Sequence, residues 1–309
     1  MIKPKYLKSK DKITIVAPAG KIDKGIVDFA KDKLESWGLN VVLGEHVFNE
    51  HFQYAGTDEE RLFDMQKAVD DESIKAILCA RGGYGLIRIV DQLDFSKFQA
   101  NPKWLIGFSD VTILHSYIQS KYTIETLHAP MAGGIKDEDS AEVLRKALFG
   151  EPLSYELATH PLSKPGKSSG ILTGGTLAIL CSLLGSNSDI DTKGKILFIE
   201  DIGEYLYRLD RMMWTLKRSG KLDKLAGLII GDFSDMKDND HPFGKTAYEI
   251  IAEAVREYNY PVCYGLPSGH KKENMTLILG RQVDLSIGDK TFLHFSHEDT
   301  FNKTSNIKL

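Results

Sequence analysis

Four short segments of the chain combine residue types that can carry out nucleophilic chemistry. In Trp104-Leu-Ile-Gly-Phe-Ser109-Asp-Val-Thr-Ile-Leu114 an apolar, strand-like run passes directly into a serine and then into a helical pattern. A serine on such a turn exposes its hydroxyl at the carboxyl end of a sheet, and the N–H groups and dipole of the helix N-terminus, starting with the Asp110 N–H, can stabilise an oxyanion. The match to GxSxG is incomplete, because Val111 stands at the second glycine, and Ser109 would serve equally as the N-cap of the helix. The second segment, Ala80-Arg-Gly-Gly-Tyr-Gly85, directly follows another apolar run. Its glycines let the main chain approach a ligand and turn N–H groups towards it, and Arg81 is a cation at a strand end that can hold a carboxylate. Gly82, Gly83 and Gly85 do not form GxGxxG, and an ordinary tight turn accounts for the loop as well.

The third segment, Lys195-Ile-Leu-Phe-Ile-Glu200-Asp-Ile-Gly-Glu204, is an apolar strand ending in acids, one of which can orient a histidine. Strand alternation puts Glu200 and Asp201 on opposite faces, so only one of them points at a given site; the other reading makes Asp201 or Glu204 a helix cap. The fourth, Leu266-Pro-Ser-Gly-His270-Lys-Lys-Glu-Asn274, is a polar loop between apolar runs whose histidine suits a general base. His128, in Leu127-His-Ala-Pro-Met131, competes with it from another strand end.

Other signals fail. Gly166-Lys167-Ser168 resembles the end of a P-loop, but Pro161 stands where its first glycine belongs. His294 and His297 lie three apart in an expected strand, hence on opposite faces, and there is no HExxH. Neither a metal nor a nucleotide cofactor is expected.

The elements that must position these residues alternate through the first half. Apolar runs Ile13–Ala17, Val41–Leu43, Ile74–Ala80, Trp104–Phe108 and Ile124–His128 read as strands. Between them, Ile26 to Trp37 has helical spacing with Gly38 as C-cap, Thr57 and Glu60 form a capping-box pattern, and Asp110 to about Ser120 is helical. Such alternation predicts a parallel sheet covered by helices, with ligands at the carboxyl ends of its strands. The Pro-, Gly- and Ser-rich stretch 152–170 reads as a linker or crossing loop, dividing the chain into 1–155, a linker at 156–170, and 171–309. Beyond it, runs at Ile196–Ile199, Leu225–Ile230, Pro261–Leu266, Met275–Leu279 and Val283–Ile287, with helices near 175–184, 205–219 and 246–258, predict an α+β half with a partly antiparallel sheet.

Composition excludes several partners. With 39 Lys and Arg against 43 Asp and Glu, the 309-residue chain carries a formal charge of −4 and has no basic block for nucleic acid. It is 42% hydrophobic and has no run of roughly 18 apolar residues, so neither disorder nor a membrane span is expected. Cys79, Cys181 and Cys263 lie far apart in apolar surroundings, which suits a reducing cytoplasm, and the run Ile13–Ala19 reads as a first strand instead of an export signal.

Taken together, the segments resemble the LD-carboxypeptidase family of serine peptidases, the murein tetrapeptide carboxypeptidases and microcin C resistance peptidases. The likeness runs through Ile15-Val-Ala-Pro-Ala19, Arg81-Gly-Gly-Tyr-Gly85, Gly107-Phe-Ser-Asp-Val-Thr112, His128-Ala-Pro-Met131, Gly174-Gly-Thr-Leu177, Ile199-Glu-Asp-Ile-Gly-Glu204, and Gly269, His270 and Asn274. It departs at Ala129, where glycine is common, and at Thr176, where asparagine is frequent. The resemblance implies Ser109 as nucleophile, His270 as base and Glu200 as orienting acid. Backbone N–H groups at Asp110, Gly82 and Gly83 are then the candidate oxyanion donors, with Arg81 and Tyr84 as substrate contacts. It also implies a flavodoxin-like N-terminal domain, a smaller β-rich C-terminal domain, a homodimer, and release of terminal D-alanine from a murein tetrapeptide in cell-wall recycling. Two other readings use the same residues. One is an immunity peptidase cleaving peptidyl nucleotides, which would need an aromatic-lined nucleotide pocket; the other is a non-catalytic small-ligand-binding module.

Overall fold

The computed structural model describes residues 1–296. Five apolar runs of the first half form a parallel sheet: β1 (Lys12–Val16), β2 (Asn40–Leu43), β3 (Ile74–Cys79), β4 (Trp104–Gly107) and β5 (Thr126–His128). Their spatial order, β2-β1-β3-β4-β5, is the flavodoxin-like order. The alternation of each strand explains why both faces are covered. Ile13, Ile15, Ala76, Leu78, Trp104 and Ile106 pack under α1 (Lys24–Ser36) and α5 (Glu138–Phe149). Val16, Ile77, Cys79 and Leu105 pack under α2 (Asp58–Asp70), the short α3 (Ser96–Ala100) and α4 (Thr112–Tyr122).

Local signals set the helix ends as expected. Thr57 and Glu60 form a full capping box on α2, and Gly38, one residue past the Trp37 C-cap of α1, has φ +84°. Helix α5, capped by Asp137, was not among the expected elements.

The second half builds a seven-stranded sheet. β6 (Ser154–Ala158), β7 (Gly166–Thr176), β8 (Ile196–Ile202), β9 (Gly227–Ser234), β10 (Val262–Tyr264), β12 (Gln282–Ile287) and β13 (Lys290–Phe295) are ordered β10-β9-β8-β7-β12-β13-β6. The β10-β9-β8-β7 side is parallel and the β7-β12-β13-β6 side antiparallel, so the sheet is partly antiparallel as expected. α6 (Leu177–Ser182), α7 (Leu206–Arg218) and α8 (Ala247–Ala254) pack on its parallel part.

Two expectations are corrected. The 156–170 stretch is not a featureless linker: it carries most of β6 and the first residues of β7. Gly170 in β7 lies so close to the neighbouring chain that a Cβ there would stand 3.1 Å from the Gly194 carbonyl and 3.3 Å from Ala226, so the residue that looked like a linker glycine answers to close packing. The run Met275–Leu279 does not extend the second sheet either. Its residues Leu277–Leu279 form β11, which pairs antiparallel with β5 and completes the first sheet. The chain therefore returns to its first half immediately after the His270 loop.

Candidate active site

The carboxyl end of β4 makes an abrupt turn. Phe108 is extended, and Ser109 takes φ +62°, a conformation uncommon for a residue with a side chain. A single 3-10 turn (Ser109–Val111) then leads into α4. Gly107 makes room for this reversal, since a Cβ there would lie 2.9 Å from a Val111 methyl and 3.2 Å from Cys79 Cβ. Val111, in place of the second glycine of GxSxG, is buried against that bare glycine. Neither the 3-10 turn nor α4 is capped by a side chain, so the N-cap reading of Ser109 fails.

The glycine loop after β3 lies directly on this turn. A Cβ on Gly82 would stand 2.9 Å from Ser109 Cβ, 3.0 Å from its Oγ and 3.4 Å from the Asp110 nitrogen. The Gly82 carbonyl accepts the Gly20 N–H at 2.9 Å, and Gly83 has φ +104°. Because carbonyl and N–H point to opposite sides of a trans peptide, this bond turns the Gly83 N–H away from Gly20. Asp110 anchors the far end of the loop: its buried carboxylate accepts the Leu86 N–H at 2.9 Å. Burial pushes the Asp110 pKa up to about 6, against the opposing effects of the Leu86 N–H, the Arg61 charge and the Gly85 N–H. Arg61 fills the space beneath Gly85, donating to the Pro18 carbonyl at 2.9 Å and pairing with Asp58. Arg81 and Tyr84 are exposed; Arg81 donates to the Lys21 carbonyl at 2.9 Å, and the Tyr84 ring lies 6.0 Å from that of Tyr54.

The second half brings its groups to the same place. At the end of β8 a register shift between Ile199 and Asp201 accompanies the divergence of the two adjacent acids. Glu200 is fully buried, with Oε2 2.7 Å from His270 Nδ1 and Oε1 accepting the Thr176 hydroxyl at 2.5 Å. Asp201 faces the other way and accepts the Ala178 and Ile202 N–H groups at 2.8 and 2.9 Å, so it serves the start of α6. Burial raises its pKa to about 7. Glu204 makes only a 3.8 Å ion pair with Arg208.

His270 sits on a loop tied at several points. Gly269 N–H donates to Asn274 Oδ1 at 3.1 Å, Asp232 N–H to the Ser268 carbonyl at 3.1 Å, and Asn274 N–H to Ser140 Oγ at 3.0 Å, reaching the first half. Gly269 has no room for a side chain, because a Cβ would lie 2.8 Å from Glu200 Oε2. Burial acts to lower the His270 pKa, but the hydrogen bond and charge of Glu200, with Asp201 and Asp232 behind it, outweigh burial and raise the pKa above the usual imidazole value. The imidazole packs edge-on against Phe108, ring centroids 4.9 Å apart, which puts it beside the residue preceding Ser109. Its competitor His128 is sealed between Phe108 and Phe198, with a pKa pushed well below normal by burial, so it is a neutral wall residue.

Sequence reasoning missed the bridge that closes this arrangement. Thr112, three residues after Ser109, accepts the Thr176 N–H at 3.2 Å, and Thr176 in turn bonds Glu200. Gly175 allows the approach, since a Cβ there would overlap Thr112 at 2.6 Å. The serine-to-threonine spacing was the available signal, but its partner is distant in sequence. Beside the site a cleft of about 340 Å³ is lined by Arg81, Phe108, Met131, Lys271, Lys272 and Asn274, among others. Among the described residues, no group of three His, Cys, Asp or Glu side chains is arranged to hold a metal, and no helix is long and apolar enough to cross a membrane.

A serine on a positive-φ strand-to-helix turn, a glycine loop against it and a histidine bonded to a buried glutamate form a site of the serine-hydrolase class, assembled from two α/β halves. Family comparison narrows the class. Residues 13–129 match the LD-carboxypeptidase N-terminal domain and 169–285 the LD-carboxypeptidase C-terminal domain. The chain is 36% identical to a probable murein peptide carboxypeptidase of Bacillus subtilis (94% of this chain, 93% of that one). It is 30% identical to the murein tetrapeptide carboxypeptidase of Pseudomonas aeruginosa (89% and 92%). The crystal structure of muramoyltetrapeptide carboxypeptidase from Oxalobacter formigenes superposes with a TM-score of 0.84 at 29% identity, over 92% of this chain and 98% of that one. The microcin C7 self-immunity protein MccF, in complex with aspartyl sulfamoyl adenosine, shares the fold with a TM-score of 0.86 at 21% identity, over 96% and 99%. The chain belongs to the LD-carboxypeptidase family and is a serine-type peptidase.

Proposed function

We propose that the enzyme releases terminal D-alanine from murein tetrapeptides by cleaving the amide between an L-centre and the D-residue, with Ser109, His270 and Glu200 as its triad. The observation that carries the reading is the 2.7 Å bond between His270 Nδ1 and buried Glu200, on an imidazole packed against the residue next to Ser109. With Nδ1 bonded to Glu200, Nε2 is left as the basic nitrogen. It takes the Ser109 proton as Oγ attacks the carbonyl carbon, and Glu200 stabilises the imidazolium that forms. The N–H groups of Asp110 and of the Gly82–Gly83 loop receive the oxyanion; each such donor contributes about 3 kcal/mol. The imidazolium then protonates the departing amine of D-alanine, and water, deprotonated by the same histidine, hydrolyses the acyl-enzyme. Arg81 is the group we assign to the substrate carboxylate, with Tyr84 at the rim.

The setting this reading implies is a cytoplasmic homodimer recycling wall fragments; the three unpaired cysteines fit a reducing compartment. Turnover of three substrates tests the function: an L,D-tetrapeptide, its D,D-pentapeptide counterpart and a peptidyl nucleotide. Release of D-alanine from the first alone supports the proposal. Preference for the third would support the immunity-type reading. No turnover, with no labelling of Ser109 by a fluorophosphonate, would leave a binding module.

A further inference from the structure

A second cleft, of about 650 Å³, opens on the C-terminal half, walled by His160, Leu162, Phe233, Met236 and Tyr248. It shares one lining residue with the cleft beside Ser109, namely Lys271, the residue after His270. The Lys271 ammonium is 2.9 Å from Asp232 at the end of β9, and the Tyr248 hydroxyl donates to the carbonyl of the adjoining Gly231 at 2.9 Å. The second cleft therefore starts one residue beyond the base and is fastened to the strand that holds the base's loop. Its wall is a set of interlocked rings, with His160 edge-on to Tyr248 at 5.3 Å and Phe233 at 6.4 Å from the same ring. None of these side chains has a part in the chemistry described above.

An enzyme that removes one terminal residue needs little room for the leaving group, whereas the rest of the substrate extends from the acyl side. The two clefts differ in the same sense. The smaller one carries Arg81 and Lys272, suited to a terminal carboxylate, and the larger sets aromatic rings beside Thr246, Glu249 and Lys271, a mixed lining suited to the polar and apolar parts of a peptide. We propose that the larger cleft is the acyl-side subsite, which takes the peptide N-terminal to the cleaved bond. The inference rests on the peptidase reading of Ser109. The rings could stack a nucleobase, but a nucleotide's phosphate suits the cleft less well: Lys271 is the one lysine or arginine lining it, that cation is already paired with Asp232, and Glu249 adds negative charge.

The test is a ladder of L,D-substrates that share the cleaved pair and lengthen only on the acyl side. For the wild type, kcat/KM is expected to rise about tenfold or more from the shortest to the longest, chiefly through KM. Leu162→Trp, which fills the rim, and Met236→Glu, which makes it polar, should each flatten the ladder while leaving the shortest substrate unchanged. Both residues are at least partly exposed, so the fold should tolerate them. A flat ladder for the wild type, or variants that slow short and long substrates alike, would overturn the proposal while Ser109 still reacts with a fluorophosphonate. If Ser109 is unreactive and even the shortest substrate is untouched, the peptidase reading itself fails and this proposal with it.

Discussion

The two halves of the site are built by different means. In the first half the working features are main-chain ones: a positive φ at Ser109, the bare Gly82 against it and N–H groups at the head of α4. In the second half they are side-chain hydrogen bonds in a dry interior, running from Thr176 to Glu200 to His270. In the proposed mechanism, backbone geometry fixes where the nucleophile is, and a buried polar network fixes which tautomer and charge its base adopts. The halves should therefore fail differently, the first by displacement and the second by electrostatics.

The largest effect on that contrast should come from Glu200→Gln. It preserves shape and removes the charge, so kcat should fall about 10⁴-fold, as for loss of a triad acid elsewhere. The pH profile gives the sign. His270 must be neutral to accept a proton, and its pKa is raised mainly because Glu200 overcomes burial, so the acidic limb of kcat/KM should lie above about 6.5 and move to lower pH in the variant. A limb that stays in place would show that Glu200 does not set the imidazole's charge.

Gly82→Ala tests the backbone half. The new methyl would overlap Ser109 and crowd the Asp110 N–H, so kcat should drop about 10²–10³-fold with the acidic limb unmoved. Steady-state kinetics across pH separate this outcome from the charge effect. Thr176→Val tests the bridge between the halves: deleting a hydrogen bond to a charged carboxylate should cost about tenfold in kcat, and Thr176→Asn, which restores a donor, should recover most of it. Equal losses in both variants would mean that the hydroxyl matters for packing alone.

The smallest effect concerns stability. His115 and His128 are buried neutral, His115 with a pKa near 4 and His128 well below its normal value, both chiefly through burial. Between about pH 6.5 and 4 the unfolded chain binds protons there that the folded chain does not, which lowers stability as pH falls by up to about 1.4 kcal/mol per pH unit for each group, whereas the buried Asp110 and Asp201, raised to about 6 and 7, take up protons first in the folded chain and oppose this in the same window. His270 acts outside this window: its raised pKa gives a contribution that is constant below about 6.5 and is lost as pH rises above it. Urea midpoints measured across this window give the net slope.

The contrast between the halves also explains what could be read in the sequence. The Ser109 turn and the glycine loop are local features, visible as an apolar run meeting a serine and as clustered glycines. The parallel sheet of β1 to β5 followed from strand and helix alternation for the same reason, while its flavodoxin-like order came from the family resemblance. Glu200 could be separated from Asp201 only to the extent that one of them had to face away. Its pairing with His270 came from family resemblance, because a contact between β8 and a loop 70 residues later has no local signature. The misread stretch 152–170 shows the same limit. Its glycines and serines satisfy strand pairing with Gln282–Ile287, a partner more than a hundred residues away, and no apolar alternation announces it. Leu277–Leu279 is apolar enough for either sheet, and position after the His270 loop, not composition, sends it to β5.

In the proposed mechanism, residues from both halves act as one catalytic unit. Single-turnover release of D-alanine from an L,D-tetrapeptide by Ser109→Ala, His270→Ala and the double variant tests it directly. Each single change should cost about 10⁴-fold or more, and the double variant should be no slower than either, since a unit already broken has nothing further to lose. Losses that multiply in the double variant, or turnover retained in either single one, would contradict it.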